Sequence, residues 1–219
     1  SGCGRNFLNM KNNIMYYRNN HIEYIFYENS VQSYPVHTHA NHVLFGYVRD
    51  GAVRIICNGE EFLYQTGGYF CILPDTPHAV EAVNGVSYSM ITVCMPANKM
   101  LQEYGKSKNG YLNRLKQLIL NAPENTFLIA DMAQSIAVSP YHMIRQFKAA
   151  CGLTPHQFQI QCRVRKAQRL LEEGKSVTEA AYATGFYDQS HFDRCFKRIV
   201  RLTPNAYRQS VRQAGWRGF

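Results

Sequence analysis

Two histidines that could do chemistry stand close together in the segment His37-Thr38-His39. Residues two apart on a strand share one face, so both imidazoles would point to the same side of a sheet. Neutral imidazoles bind zinc, nickel or cobalt, and they also hydrogen-bond to organic ligands. Under strict alternation His42 falls on the opposite face, so a bulge is needed to bring it in. The segment predicts a metal site, a pocket for an organic effector, or packing alone.

The cysteines predict neither a disulfide framework nor a zinc finger. The seven cysteines are scattered and no CxxC pair occurs, which favours a reducing compartment. The first residues carry no apolar signal-peptide core, and no apolar run approaches the ~18 residues that a membrane span needs. We therefore expect a cytoplasmic protein without a membrane partner.

Charge divides the chain into two unequal halves. Residues 1–110 carry eight basic and eight acidic residues, whereas residues 111–219 carry sixteen basic and seven acidic ones. The second half therefore holds the whole net charge of +9. Such asymmetry is typical of a polyanion-binding half joined to a neutral half, although a solvated basic surface gives the same count.

The first half alternates like a set of short strands. Residues 31–95 are rich in Val, Ile, Tyr and Phe, with turn signals between the apolar segments. Asn58-Gly59 predicts a two-residue hairpin turn, because both residues tolerate a positive φ. Residues 7–29 are expected to add one or two edge strands. Many short strands at this spacing predict an antiparallel barrel or jelly roll.

From about residue 111 the apolar period becomes helical. Pro96 through Gly110 is predicted to be the linker. The fold class is therefore α+β multidomain, with a barrel over residues 1–96, a linker over 97–110 and an all-helical domain over 111–219. The predicted helices are Tyr111–Leu120, a segment capped by Thr126, one begun by Ser139-Pro140, Pro155 to about Glu173, one begun by the Ser176–Glu179 capping box, Gln189–Ile199, and one begun by Pro204.

One sequence pattern occurs twice in the helical half. FKAACGLTPHQF at residues 147–158 returns as FKRIVRLTPNAY at 196–207, 49 residues later. Each copy follows a helix, a tight turn and a second helix, which is a helix-turn-helix unit. A connecting helix of ~28 Å would join the two units and set their second helices near the ~34 Å of one DNA turn.

The helical half resembles the DNA-binding domain of AraC/XylS-type transcription regulators. The resemblance covers residues 112–209 and departs from the family pattern at Arg201, in place of the usual glycine, and at Ala137-Val138, which lacks a glycine. The matching residues are Leu170-Leu171, Ala180-Ala181, Gly185-Phe186, Asp188 through Phe192, Phe196-Lys197, Thr203-Pro204 and Tyr207-Arg208. We expect the double helix-turn-helix fold despite both departures.

This resemblance implies which side chains contact double-stranded DNA. Arginine can bind guanine bidentately, glutamine can pair with adenine, and apolar side chains can touch the thymine methyl. The implied base-reading residues are Tyr141, His142, Ile144 and Arg145 in the first unit, and Gln189, Ser190, His191, Asp193 and Arg194 in the second. The implied phosphate contacts are Lys148, Arg163, Arg165, Lys197 and Arg198.

The strand half resembles a small cupin barrel over residues 30–95, the usual effector domain of this regulator family. In metal cupins two histidines and a carboxylate of the first motif join one histidine of the second. The resemblance implies His37, His39 and His78 as ligands of zinc, nickel or cobalt, while Val43 or Leu44 stands at the carboxylate position. His42 and Tyr47 join these histidines as candidate effector contacts.

These observations favour a transcription regulator, not an enzyme, that senses a small molecule or metal ion in its barrel. The alternative is a metal-dependent cupin enzyme with an accessory nucleic-acid module. The family resemblance implies an activator that would contact RNA polymerase. A homodimer would have to use the helix Tyr111–Leu120 or the edges of the barrel.

Overall fold

The computed structural model describes residues 13–19, 21–97 and 110–213. Most of the predicted linker, and the predictions for residues 1–12, therefore lie outside the described residues. Within the described ranges the chain forms strands up to Pro96 and helices from Gly110 onward.

Nine strands build the first half, counted over its described residues. All neighbouring strands pair antiparallel, as predicted. One sheet has the order β1-β2-β9-β4-β7 and the other the order β3-β8-β5-β6. The strands are β1 (Ile14–Asn19), β2 (Ile22–Ser30), β3 (Tyr34–His37), β4 (His42–Asp50), β5 (Ala52–Cys57), β6 (Glu60–Gln65), β7 (Tyr69–Ile72), β8 (His78–Ala82) and β9 (Tyr88–Pro96).

Alternation decides which side chains form the barrel core. Burial along β2 switches at almost every residue, so Ile25 and Tyr27 pack inside. The β5–β6 hairpin turns at Asn58 and Gly59, with φ of 51° and 88°. Both values are positive, as a two-residue hairpin turn requires, and the predicted turn is confirmed.

Seven helices follow among the described residues. Two helix-turn-helix units are formed by α2–α3 and by α5–α6, and α4 lies between them in the chain. The helices are α1 (Gly110–Asn121), α2 (Ile129–Gln134), α3 (Pro140–Cys151), α4 (Pro155–Glu172), α5 (Val177–Ala183), α6 (Gln189–Val200) and α7 (Pro204–Gln213).

Most of the predicted helix starts are confirmed. Ser139 accepts a hydrogen bond from the His142 amide, and Ser176 forms the predicted capping box with Glu179. The Thr126 cap is wrong. The chain stays extended through Leu128, which precedes α2 without any side-chain cap, while Phe127 packs against a buried cluster.

The two halves pack against each other. The Tyr16 hydroxyl of β1 donates to the Val200 carbonyl at the end of α6, 3.0 Å away. Its ring meets that of Tyr207 edge-on, with centroids 5.1 Å apart. On the other side Lys116 of α1 forms a buried ion pair with Asp75, 3.0 Å long. One continuous apolar cluster therefore joins the barrel to the helices.

Candidate functional sites

The second helices of the two units, α3 and α6, are here called the recognition helices, and they begin in the same way. Ser139 caps α3 by accepting from the His142 amide, and Asp188 caps α6 by accepting from the His191 amide, 2.7 Å away. Both helices end at a left-handed residue, Gly152 with φ 70° and Arg201 with φ 65°. Arg201 thus keeps the left-handed helix end where the family pattern has glycine.

The recognition helices present polar faces to solvent. Met143 and Phe147 of α3, and Phe192 and Phe196 of α6, are fully buried and fix the inner faces. Ile144, His191 and Asp193 are half-buried at the edge of the outer faces. The exposed members of the predicted DNA-binding set are Tyr141, His142, Arg145, Lys148, Gln189, Ser190, Arg194, Lys197 and Arg198.

Two predicted base-reading side chains of α6 also have contacts within the protein. The His191 ring packs edge-on against Phe186 with centroids 5.5 Å apart. The Thr178 hydroxyl donates to the Gln189 side-chain oxygen at 3.3 Å. Both contacts join α6 to the preceding helix and turn. They orient the start of the recognition helix.

The structure corrects the prediction that Arg163 holds a DNA phosphate. Its guanidinium donates to the carbonyls of Pro123 and Gly185, each at 2.7 Å, and of Glu124 at 3.2 Å. A side chain whose donors are so engaged ties the α1–α2 loop to the turn of the second unit. Gly185 suits this close approach, since a Cβ there would lie 2.5 Å from the Glu124 carbonyl oxygen.

Arg165 is likewise not placed as a phosphate contact. Its guanidinium forms a 3.0 Å ion pair with Glu23 of the barrel and lies 3.2 Å from His39 Nδ1. Glu23 also pairs with Arg18 at 3.0 Å. Burial works against the charged form of Glu23, yet Arg165 and Arg18 outweigh it and lower the pKa of this carboxyl. Arg165 thus joins the helical half to the barrel.

His37, His39 and His78, here called the histidine triad, come together at one end of the barrel. Their candidate ligand atoms all lie within 4.8 Å of one another. The His37 and His78 rings have centroids 4.2 Å apart, and each has its Nδ1 against a backbone carbonyl, of Pro35 at 2.8 Å and Thr76 at 2.9 Å. This leaves Nε2 of both rings free, and His78 Nε2 is buried without a partner among the described residues.

The triad is held in the uncharged form that binds metals. Burial lowers the pKa of His78 to about 4, and it lowers those of His37 and His39 well below their usual value. A tetrahedral metal needs nitrogens ~3.3 Å apart, so the rings would have to move closer together. Val43 and Leu44 are buried and apolar, and the triad contains no carboxylate.

Two other candidates of the barrel lie outside the triad. His42 turns its Nδ1 to the Ala40 carbonyl at 2.7 Å. Tyr47 is 46% exposed on the outer face of β4, opposite the exposed Tyr69 of β7, and its role as an effector contact stays a prediction.

A cavity of about 710 Å³ lies between the barrel and the helices α1 and α4, and is here called the interdomain cavity. Arg165 and His39 line it, so it adjoins the triad. Its other charged or histidine side chains are Arg18, His21, Glu23, His42, Lys166, Arg169 and Glu173. Sequence reasoning missed this cavity, because it forms only where the two halves meet. The one available signal was the density of basic residues from Arg163 to Arg169.

Arg169 differs from the other cations of the cavity. Arg18 and Arg165 pair with Glu23, and Lys166 pairs with Glu124 at 2.8 Å. Arg169 is exposed and forms no ion pair within the described part of the chain. The cavity therefore holds one arginine whose charge is free for a ligand.

Among the helices that the structure describes, none combines the length and apolar character that crossing a membrane requires.

Two family models match the chain, and together they span most of it. The model of the AraC-like ligand binding domain matches residues 19–124, and that of a helix-turn-helix domain matches residues 132–210. An uncharacterized HTH-type transcriptional regulator of Bacillus subtilis, YbfI, is 25% identical over 78% of this chain and 86% of its own length. The transcriptional regulator MtrA of Neisseria gonorrhoeae is 34% identical over 45% of this chain. The matched part covers only 33% of MtrA.

Solved structures agree on the fold. ToxT from Vibrio cholerae superposes with a TM-score of 0.63 over 88% of this chain and 99% of its own, at 8% sequence identity. The arrangement of a strand domain followed by a helical domain is therefore shared along nearly the whole of both chains.

Proposed function

Because the chain belongs to the AraC family of transcription regulators, we propose that it reads a specific DNA sequence with its two recognition helices. The observation that carries this is the matched pair of exposed polar faces on α3 and α6, each behind the same side-chain cap. A helix of this kind lies in the major groove with its first residues against base edges. Arg145 and Arg194 reach solvent from this part of both helices.

The base contacts we propose are the exposed side chains of the first two turns. Exposed lysines follow one turn later, Lys148 in α3 and Lys197 in α6, with Arg198 beside the second. These cations would hold phosphates and so set the register of each helix in the groove. Half-buried Ile144, His191 and Asp193 lie at the border of this surface and would reach only flanking bases. The proposed base contacts are Tyr141, His142, Arg145, Gln189, Ser190 and Arg194.

We place the effector in the interdomain cavity rather than within the barrel alone. Its size suits a small molecule, since ligand pockets commonly enclose 300–1,000 Å³. A ligand there would touch the barrel and α4 at once and could favour one arrangement of the two halves over another. The free charge of Arg169 supports an anionic effector, such as a carboxylate.

A metal ion at the histidine triad is the second candidate signal. The three neutral imidazoles fit zinc, nickel or cobalt in their chemistry, and their spacing would need a small contraction. Such an ion would hold β3, β8 and the loop after β3 together. We propose a sensing role and no enzymatic one, in line with the regulators that resemble this chain. Activation, contact with RNA polymerase and dimerisation stay predictions of the family resemblance.

DNA binding is tested by the ratio of affinities for selected and random duplexes at one stated salt concentration. We expect the full chain to prefer a selected sequence by a large factor, ~10³ or more. The double variant Arg145→Ala with Arg194→Ala should lose most of this preference. Arg114→Ala, an exposed arginine of α1, is the matched control. Equal affinity for selected and random DNA would refute the proposal.

The effector site is tested with a series of straight-chain carboxylates and the corresponding alcohols. We expect the acids to raise the melting temperature of the full chain and the alcohols to leave it unchanged. Arg169→Ala should remove the effect of the acids, and Arg114→Ala should keep it. Stabilisation by both series alike, or by the acids in Arg169→Ala, would contradict an anion held by Arg169.

A further inference from the structure

The two recognition helices carry the same polar residues at the same positions counted from their caps. Both helices have 12 residues and begin directly after a capping side chain, Ser139 or Asp188. Histidine is the third residue of each helix, arginine the sixth and lysine the ninth. These three positions lie one turn apart and so form one stripe along the helix. The stripes are His142, Arg145 and Lys148 in α3, and His191, Arg194 and Lys197 in α6.

The inner faces fix the two stripes in the same rotational setting. The fourth residue of each helix is fully buried, Met143 in α3 and Phe192 in α6, and so is the eighth, a phenylalanine in both. A helix anchored at these two positions cannot turn about its axis without exposing a large apolar side chain. The Arg145 and Arg194 side chains therefore project from equivalent positions on the surfaces of their units.

Both arginines are also free to bind. Arg145 and Arg194 are exposed, and neither forms a hydrogen bond or ion pair within the described part of the chain. Arg163 and Arg165 contrast with them, because the protein itself occupies their donors. A free guanidinium near the start of a recognition helix suits the two acceptors of guanine in the major groove.

Building on the proposed DNA-reading function, we infer that the operator contains two related half-sites, each with a guanine at the equivalent position, read by Arg145 in one and Arg194 in the other. The half-sites lie about one helical turn, ~10 bp, apart, as two helices that bind one face of the duplex require. Because the two helices are equivalent, one chain is predicted to bind a site in which the same base, guanine, occurs in both half-sites.

The half-sites are related and not identical, because the positions beside the arginines differ. The second residue is Tyr141 in α3 and Ser190 in α6, and the fifth is Ile144 in α3 and Asp193 in α6. The first pair offers apolar surface, which suits a thymine methyl, and the second pair offers oxygen atoms for base amino groups. Bases that flank the guanine should therefore differ between the half-sites.

The inference is tested by selecting sites from randomised duplex DNA with the full chain and with single variants. We expect the wild-type motif to contain two conserved guanines about one turn apart. Arg145→Ala should erase the preference for one guanine and Arg194→Ala the preference for the other, each by ~5- to 150-fold at that position. Arg145→Lys should keep part of the affinity and only part of the guanine preference, since the lysine ammonium reaches the same acceptors without the planar fork of arginine.

Controls separate this inference from the proposed function. Arg114→Ala should return the wild-type motif, and unchanged thermal melting should confirm that each variant is folded. A specific motif with guanine in one half only would overturn the inference and leave sequence-specific binding intact. The same holds if either alanine variant loses the preference for a base other than guanine. Failure to select any motif overturns both.

Discussion

Arg165 of α4 lies against His39 of the barrel, with its guanidinium nitrogen 3.2 Å from the His39 Nδ1. A guanidinium only donates, so His39 Nδ1 must accept, and its ring proton then belongs on Nε2. The same guanidinium pairs with buried Glu23 at 3.0 Å. One arginine of the helix between the two helix-turn-helix units thus determines how a histidine of the triad presents its nitrogens. A metal bound at His39 Nε2 would therefore displace this arginine.

Removing the charge of Glu23 should weaken the junction between the two halves. In Glu23→Gln the Arg165 guanidinium would lose its ion pair, and Arg18 would keep only its ion pair with Glu172. We expect a loss of about 3 kcal/mol in the free energy of unfolding, measured by urea denaturation. Glu61→Gln is the matched control, since Glu61 pairs with Arg54 with 63% of its side chain exposed, and it should change stability by only about 0–1 kcal/mol. Equal losses in the two variants would contradict a buried junction.

The metal-free protein should lose stability as pH falls from about 6.5 to about 4. His78 has a folded-state pKa of about 4 because it is buried, against 6.5 when exposed. Between these pH values His78 is protonated in the unfolded chain but not in the folded one, so the free energy of unfolding rises with pH. Full loss across this window corresponds to about 3 kcal/mol for this one group.

His78→Gln removes that titration and should flatten the pH dependence of the unfolding free energy between the two values. Denaturant titrations at closely spaced pH check it, with wild type and variant compared in the presence of a chelator. An identical slope in both proteins would show that other groups cause the pH dependence.

Metal content distinguishes the two candidate signals. If the triad holds an ion, elemental analysis after incubation with zinc, nickel or cobalt should give about one metal per chain. Both His37→Ala and His78→Ala should abolish binding, because each removes one of three ligands. His42→Ala is the control that should retain the metal, since His42 turns to the Ala40 carbonyl outside the triad. A chain that stays free of all three metals directs the search to an organic effector alone.

Salt dependence should identify the phosphate contacts. Lys148→Ala and Lys197→Ala should each lower the slope of log affinity against log salt by ~1, and weaken binding to all sequences about equally. Lys175→Ala, an exposed lysine between α4 and α5, should leave the slope unchanged. Fluorescence anisotropy at several salt concentrations measures the slopes. A change in base preference in either recognition-helix variant would mean that the lysine reads bases instead.

Local signals in the sequence predicted turns and helix caps, whereas the contacts between the two halves could not be predicted. The Asn58-Gly59 turn and the Ser139 and Ser176 caps follow from bonds within a few residues, so their prediction needs no knowledge of the fold. Arg165 was predicted to contact a DNA phosphate because the family resemblance implies such contacts on the connecting helix. Its real partner, Glu23, is 142 residues away in the chain, and no spacing rule connects them.

The histidine triad stands between these extremes. Strand periodicity predicted that His37 and His39 lie together. In the structure β3 ends at His37, so His39 reaches the triad from the loop that follows, and the pairing of β3 with β8 adds His78. The exposed position of Tyr47 could not be predicted, because alternation tells which residues share a face and not which face points inward. The interdomain cavity required knowledge of how the barrel meets α4.

The barrel touches both recognition helices at their far ends. Gly152, directly after α3, packs so closely on Pro77 that a Cβ would lie 2.4 Å from its ring, and Arg201, directly after α6, donates to the Ser33 carbonyl. The starts of both helices, with Arg145 and Arg194, lie turns away from these two anchor points. A barrel that shifted as one body would carry both anchors along and leave the separation of the helices unchanged. A tilt of the barrel would move Pro77 and Ser33 by different amounts. It would therefore change the orientation of one recognition helix relative to the other, and with it their fit to successive major grooves.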